Sequence, residues 1–356
     1  GTLELNNRMI RSATWEGMCE KNGKPTEKLI DLYCRLADGK IGLIISSYTY
    51  VRLDGKQNPG KMGIYSDEFE PEFRAMTRAV HDHGGKIAIQ LVHAGALARP
   101  RETGLPLVAP SSIEKKSLAQ SPMALSGLEI EDISDCFGQA ARRAKDWGFD
   151  AVQIHGAHGY LISQFLSPAT NLRTDAYGGS LENRSRFLFD VYEKIRTQVG
   201  YHFPVLIKMN AADHFENGLT QEEGVLVAKR LSDCGIDAIE VSSGSPAAGD
   251  KGPAREQINS AYKEAYNLSL AKAIKQKVAC PVICVGGFRS LDIAQKAVDT
   301  EGMDFIALAR PLIREPDLAQ KWQIRQSDKA ECISCNKCFF PGMTKGGIEC
   351  VAKISP

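Results

Sequence analysis

The sequence predicts an α/β fold, a (β/α)8 TIM barrel, on three observations. Eight short apolar runs rich in β-branched residues recur along the chain. Amphipathic stretches of helical period separate them. The 356 residues, 43% of them hydrophobic, suffice for one closed barrel with insertions. The runs are Arg8–Ala13, Ile41–Ser46, Lys86–Leu91, Asp150–Ile154, Pro204–Met209, Asp237–Val241, Pro281–Val285 and Asp304–Leu308. The helical patterns include Pro71–His83, Ile130–Trp147, Leu181–Val199, Thr220–Cys234 and Asn267–Gln276. Gly148 and Gly235, each just ahead of a run, supply the left-handed backbone that ends a helix. Such a barrel carries its active site where the strands end, so the last residues of each run and the loop behind it are where chemistry is expected.

Two segments depart from the repeat. The connection after the third run, Gly95 to about Leu128, is rich in Pro, Ser and Gly and has the length of a functional cover. After the eighth run, Pro311–Trp322 reads as a terminal helix, and the chain then becomes a polar, cysteine-rich tail. The expected organisation is a barrel over 1–322 with a tail, 323–356, packed on it. Basic residues number 44 against 43 acidic ones, a net charge of +1, which offers no footprint for nucleic acid or an anionic membrane. No apolar run reaches the roughly 18 residues of a membrane span, so a cytoplasmic protein with a small-molecule substrate is expected, and a homo-oligomer is left open. Four of the ten cysteines crowd the last 25 residues, which points to a local metal or cluster site and not to a disulfide framework. No GxGxxG, Walker, HExxH or GxSxG motif occurs, so a dinucleotide fold, P-loop, zincin or hydrolase elbow finds no support.

The most informative stretch is Asp150–Phe187, centred on HGAHGY at residues 155–160. A buried run opens there into a loop carrying His155, His158 and Tyr160. Two imidazoles and a phenol at one strand end can donate hydrogen bonds to an oxyanion and deliver a proton. The plainer reading is a pair of capping histidines and a packed tyrosine. Barrels of this class also build a phosphate site from the loops after their seventh and eighth strands. Here those loops hold Gly286-Gly287 and Ala309-Arg310, a source of backbone donors and a bidentate cation, or else a glycine turn beside a surface arginine. The tail, ECISCNKCFFPGMTKGGIEC, spaces Cys332, Cys335, Cys338 and Cys350 as C-x2-C-x2-C-x11-C, which suits an iron-sulfur cluster or structural zinc.

HGAHGYLISQFLSPATNLRTDAYGGSLENRSRF closely resembles the central motif of the Old Yellow Enzyme family of FMN-dependent ene-reductases. The resemblance continues in register through NRMIRSATWEG, IGLIISSYT, KIAIQLVHAG, LTQEEGVLVAKRLSDCGIDAIEVSSG, PVICVGGF and DFIALARPLIREPDL, and so covers nearly the whole chain. It implies an oxidoreductase that takes hydride from NADH or NADPH onto FMN and reduces an activated alkene or enone. By the same resemblance His155 and His158 hold the substrate carbonyl and Tyr160 protonates the α carbon. Gln90 and Lys208 would contact the flavin ring, while Gly286, Gly287, Ala309 and Arg310 would hold the FMN phosphate. Lys208 stands where the family usually has arginine, keeping the charge but losing the planar fork. It also admits a reading as a Schiff-base amine. Ser12, Ala13, Thr14 and Trp15 would pack under the flavin, but Trp15 replaces a small polar residue and Tyr48 replaces glycine or alanine, so both are expected to reshape the pocket. The tail resembles that of the branch containing 2,4-dienoyl-CoA reductase and trimethylamine dehydrogenase, which implies a 4Fe-4S cluster and an external electron-transfer partner. That branch keeps open two alternatives: an amine or other small-molecule dehydrogenase, and a flavin-binding electron-transfer subunit without its own substrate.

Overall fold

The computed structural model describes residues 1–113 and 120–352. Eight parallel strands close a barrel in chain order: β1 (Met9–Arg11), β2 (Leu43–Tyr50), β3 (Ile87–Val92), β4 (Ala151–Gly156), β5 (Val205–Asn210), β6 (Ala238–Ser242), β7 (Val282–Val285) and β8 (Phe305–Leu308). Each pairs with its sequence neighbours, and β8 closes on β1 through Met9↔Ile306. The eight expected strands are therefore all present. β2 runs on to Tyr50, past its expected end, with a register shift between Ile45 and Tyr48. A shift of this kind re-aims a side chain near a functional rim, and Tyr48 lies just beyond it.

Helices surround the barrel. Among them are α1 (Glu27–Asp38), α2 (Glu70–Asp82), α3 (Gly127–Asp146), α4 (Leu181–Val199) and α5 (Gln221–Asp233). Ser126 and Glu129 form a reciprocal capping box at α3, as do Thr220 and Glu223 at α5. The expected terminal helix, Pro311–Trp322, is instead two short ones, Arg310–Arg314 and Leu318–Gln323. Pro316 lies in the break, where it supplies no N–H and disfavours helical backbone at Glu315. The long connection after β3 holds a short helix, Pro100–Thr103, and a two-stranded pair, Val108–Ala109 with Met123–Ala124; its residues 114–119 lie outside the described ones.

Strand alternation sorts the barrel interior into layers. Successive side chains point to opposite faces, so β4 sends Ala151, Gln153 and His155 inward, β5 Leu206, Lys208 and Asn210, and β6 Ala238, Glu240 and Ser242. The lowest layer is apolar, with Ile10, Leu43, Ala88, Ala151, Leu206, Ala238 and Ile283 in one cluster. The next is polar and the third opens to a cavity. The tail packs on the barrel: Ile348 N–H donates to the Glu16 carbonyl at 2.7 Å, Ala330 N–H to the Arg289 carbonyl at 2.7 Å, and Gly342 lies against the Trp15 indole. Among the described residues no helix is long and apolar enough to cross a membrane.

Candidate active site

A cavity of about 420 Å³ opens at the C-terminal ends of the strands, within the range of small-molecule and cofactor sites. On its wall the fold gathers Ser12, Ala13, Thr14 and Trp15 from the end of β1, Tyr48 from β2, His155, His158 and Tyr160 from the β4 end, Lys208 from β5, and Gly286, Gly287, Ala309 and Arg310 from the loops after β7 and β8. Of the residues expected around a flavin, only Gln90 stands off the wall. It is fully buried one layer below, with Nε2 donating to Gln153 Oε1 at 2.6 Å and its own Oε1 left without a partner among the described residues.

The β4 end forms a compact trio. The His155 ring stands edge-on to Tyr160 and to His158, at centroid distances of 4.7 and 5.2 Å. His155 Nδ1 accepts the Ala157 N–H at 3.3 Å, which leaves the ring proton on Nε2 as a donor for a ligand. His158 Nε2 lies 2.7 Å from Ser242 Oγ, and its N–H donates to Asn210 Oδ1. Burial and nearby cations push both imidazoles down, His158 to about 3, so each is neutral at neutral pH and donates without carrying charge. Tyr160 donates to Gln57 Oε1 at 2.7 Å, and burial raises its phenol well above the usual tyrosine value, which keeps its proton on.

Tyr48 packs against both: its ring lies 5.4 Å from Tyr160 and 5.8 Å, edge-on, from His155. Its phenol is pushed up to about 12 by burial. Near Tyr48 sits Lys61, fully buried, with Nζ 4.0 Å from the Tyr48 ring centroid and, among the described residues, no hydrogen-bond partner. A cation over an aromatic face gains some electrostatic attraction, and burial drives the ammonium well below the ordinary lysine value. Trp15 turns its indole N–H away to the Pro59 carbonyl at 3.1 Å and packs against Gly17 and Gly342, so it shapes the wall.

Beneath the trio a buried ionic layer holds Lys208. Its Nζ donates to Ser12 Oγ at 2.8 Å and lies 3.2 Å from Glu240 Oε1; Ser12 Oγ in turn donates to Glu240 at 2.6 Å, and Gln153 Nε2 to the other Glu240 oxygen at 2.8 Å. Burial lowers the Lys208 ammonium and the Glu240 charge works against that shift. Glu240 and Gln153 escaped the sequence reading because each sits inside an apolar run. The signal for Gln153 was the alternation, since it shares an inward face with His155.

These residues fit an FMN. Among the described residues the backbone N–H groups of Gly286, Gly287, Ala309 and Arg310 meet no acceptor, although Gly286 and Gly287 turn through φ of +143° and +76°. Successive free N–H groups in a turn suit an anion. Arg310 stands beside them, anchored through Nη1 to the Arg255 carbonyl at 2.8 Å and to Asn336 Oδ1 at 2.7 Å. The Gln90 Oε1, partnerless among the described residues, and Lys208, paired with Glu240, suit the polar edge of a ring seated above.

The tail cysteines are not assembled in the same way. Among the described residues no three His, Cys, Asp or Glu side chains converge on a single metal-ion position. Cys332 Sγ accepts the Ser334 N–H at 3.5 Å and Cys350 Sγ accepts from Arg314 at 3.7 Å. Burial raises the Cys332 thiol, and the Cys338 thiol to about 11. A bound cation is what draws thiolates together and expels their protons.

The sequence profile of the NADH:flavin oxidoreductase / NADH oxidase family matches residues 1–329 and so leaves the four tail cysteines outside the match. The chain is 37% identical to an NADH oxidase of Thermoanaerobacter brockii across 100% of its own length and 54% of the oxidase, so it spans about half of that relative. It is 36% identical to an NADPH dehydrogenase of Geobacillus sp. (strain WCH70), over 88% of each chain. A solved old yellow enzyme homologue from Zymomonas mobilis superposes with a TM-score of 0.81 at 29% identity, over 94% of this chain and 93% of that one. With the match running through all eight strand ends around the cavity, the chain belongs to the NADH:flavin oxidoreductase / NADH oxidase family.

Proposed function

We propose that the chain is an FMN-dependent oxidoreductase that uses NADH or NADPH to reduce an activated alkene or enone. One observation carries the reading: His155, His158 and Tyr160 share a cavity wall with the partnerless donors behind β7 and β8. Gly286, Gly287, Ala309 and Arg310 would hold the phosphate, with Lys208 and Ser12 beside the ring, and bound FMN supplies the two-electron chemistry of such an enzyme. The two imidazoles donate to the carbonyl oxygen, where charge develops as the conjugated double bond is reduced. Tyr160, still protonated, gives its proton to the α carbon, completing addition of hydride and proton across C=C. Trp15 and Tyr48 narrow the space left for the substrate.

Purified protein is expected to be yellow, to release free FMN on acid precipitation, and to take it up again with a stoichiometry of about one. A folded, colourless protein that binds no added FMN in equilibrium dialysis refutes the reading.

The four tail thiols, at a spacing that suits a 4Fe-4S centre, are proposed to take one up when the protein is made anaerobically with iron, giving electrons a route to an external partner. The expected result is about four irons and four sulfides per chain, a broad brown absorbance beyond the flavin bands, and loss of both in Cys335→Ser. Stoichiometric zinc without iron assigns the site to structure.

A further inference from the structure

We propose that Arg99 receives a carboxylate on the substrate, so that the preferred alkenes are anionic; the inference rests on the alkene-reducing reading above. Arg99 lines the cavity, its N–H donating to the Lys56 carbonyl at 3.0 Å just ahead of the helix Pro100–Thr103. The wall carries four arginine or lysine side chains and, among the described residues, no aspartate or glutamate. Three of the four are already held. Lys208 is paired with Glu240, Arg289 donates to the Ile258 and Ala330 carbonyls, and Arg310 donates to the Arg255 carbonyl and Asn336. Arg99 is the remaining one, and among the described residues its guanidinium has neither a hydrogen bond nor an ion pair. The nearby Glu102 is paired with Arg101 instead.

A half-buried guanidinium offers five donors and no acceptor, and a bidentate anion is the group that best matches its planar fork. Position decides which anion. Arg99 follows β3, whereas the phosphate loops follow β7 and β8, and β3 and β7 lie across the barrel from one another. The group bound at Arg310 therefore cannot also serve Arg99. The Arg99 charge acts on both Tyr48 and Tyr160, and Tyr160 donates to Gln57, so Arg99 stands on the side of the wall where the proton would be delivered. A molecule whose carbonyl lies on His155 and His158 would present the rest of its skeleton there.

The test compares 4-oxocyclohex-2-ene-1-carboxylate with its methyl ester, the same enone with and without charge. Calorimetry on the FMN-loaded protein reads binding directly, and the KM of alkene reduction reads it in turnover. The wild type should favour the acid about tenfold or more, the worth of a charge-assisted hydrogen bond. The preference should fall to near unity in Arg99→Gln and survive in part in Arg99→Lys. No preference in the wild type, or one unchanged in Arg99→Gln, overturns the proposal. So does an effect of Arg99→Gln confined to discrimination between NADPH and NADH in flavin reduction, since the anion would then be the dinucleotide phosphate. If neither compound is reduced yet calorimetry still shows the Arg99-dependent preference, the alkene reading has failed and the anion site stands.

Discussion

Tyr160→Phe is expected to slow reoxidation of the reduced protein by alkene by about 10²- to 10⁴-fold, the usual cost of removing a positioned general acid. Reduction by NADH or NADPH should change little, because no proton is required of the phenol until the alkene has been attacked. The substitution removes one oxygen and keeps the ring that packs edge-on against His155 at 4.7 Å, so a packing effect should be small. The hydrogen bond to Gln57 Oε1 is lost with it, which leaves that acceptor free to bind water at the cavity wall. Stopped-flow rates of the two half-reactions separate the cases. Equal slowing of both would make Tyr160 a packing residue. The Tyr48 ring lies 5.4 Å away in the same wall, so Tyr48→Phe is the control: a loss as large as that of Tyr160→Phe would move the proton donor to Tyr48.

Much of this site is legible in the sequence because strand ends are local events. An apolar run followed at once by HGAHGY can hardly place its histidines anywhere but the top of β4, and the same holds for the glycines behind β7. Residues whose role depends on distant partners are not legible in that way. Gln90 stands next to the end of its expected run, where a flavin-contacting glutamine is expected, yet its amide is tied to Gln153 across the neighbouring strand and lies below the wall. Arg99 is one of many loop arginines until the nearby Glu102 is seen to be paired with Arg101. The cysteine spacing groups four thiols but fixes no geometry, since convergence depends on a charge the chain itself does not supply. Glu240 is the instructive miss. Averaged hydropathy makes Asp237–Val241 a plain buried strand, whereas reading every second residue puts a carboxylate on the same inward face as Ser242.

Glu240→Leu is expected to cost about 3–5 kcal/mol of folding stability, the range for removing one partner of a buried ion pair. Lys208 and Glu240 have side chains only 3% and 0% exposed, and the carboxylate also accepts from Ser12 and Gln153, so its loss strands an ammonium, a hydroxyl and an amide together. Denaturant midpoints of the FMN-free proteins read the effect without interference from ligand binding. Lys208→Met in the same background should restore most of the loss, because replacing both members of a buried pair by apolar groups is often nearly neutral. The pH dependence carries a sign that distinguishes charge from packing. Burial already depresses Lys208, and without Glu240 opposing it the folded value falls further below the unfolded one. In that window the unfolded chain binds the proton and the folded chain does not, so stability is lost as pH falls from the ordinary lysine value of about 10.4. The penalty of Glu240→Leu should therefore shrink as pH is raised toward that value and be largest near neutrality. A penalty independent of pH, and undiminished by Lys208→Met, would show that Glu240 is held for its shape and hydrogen bonds alone.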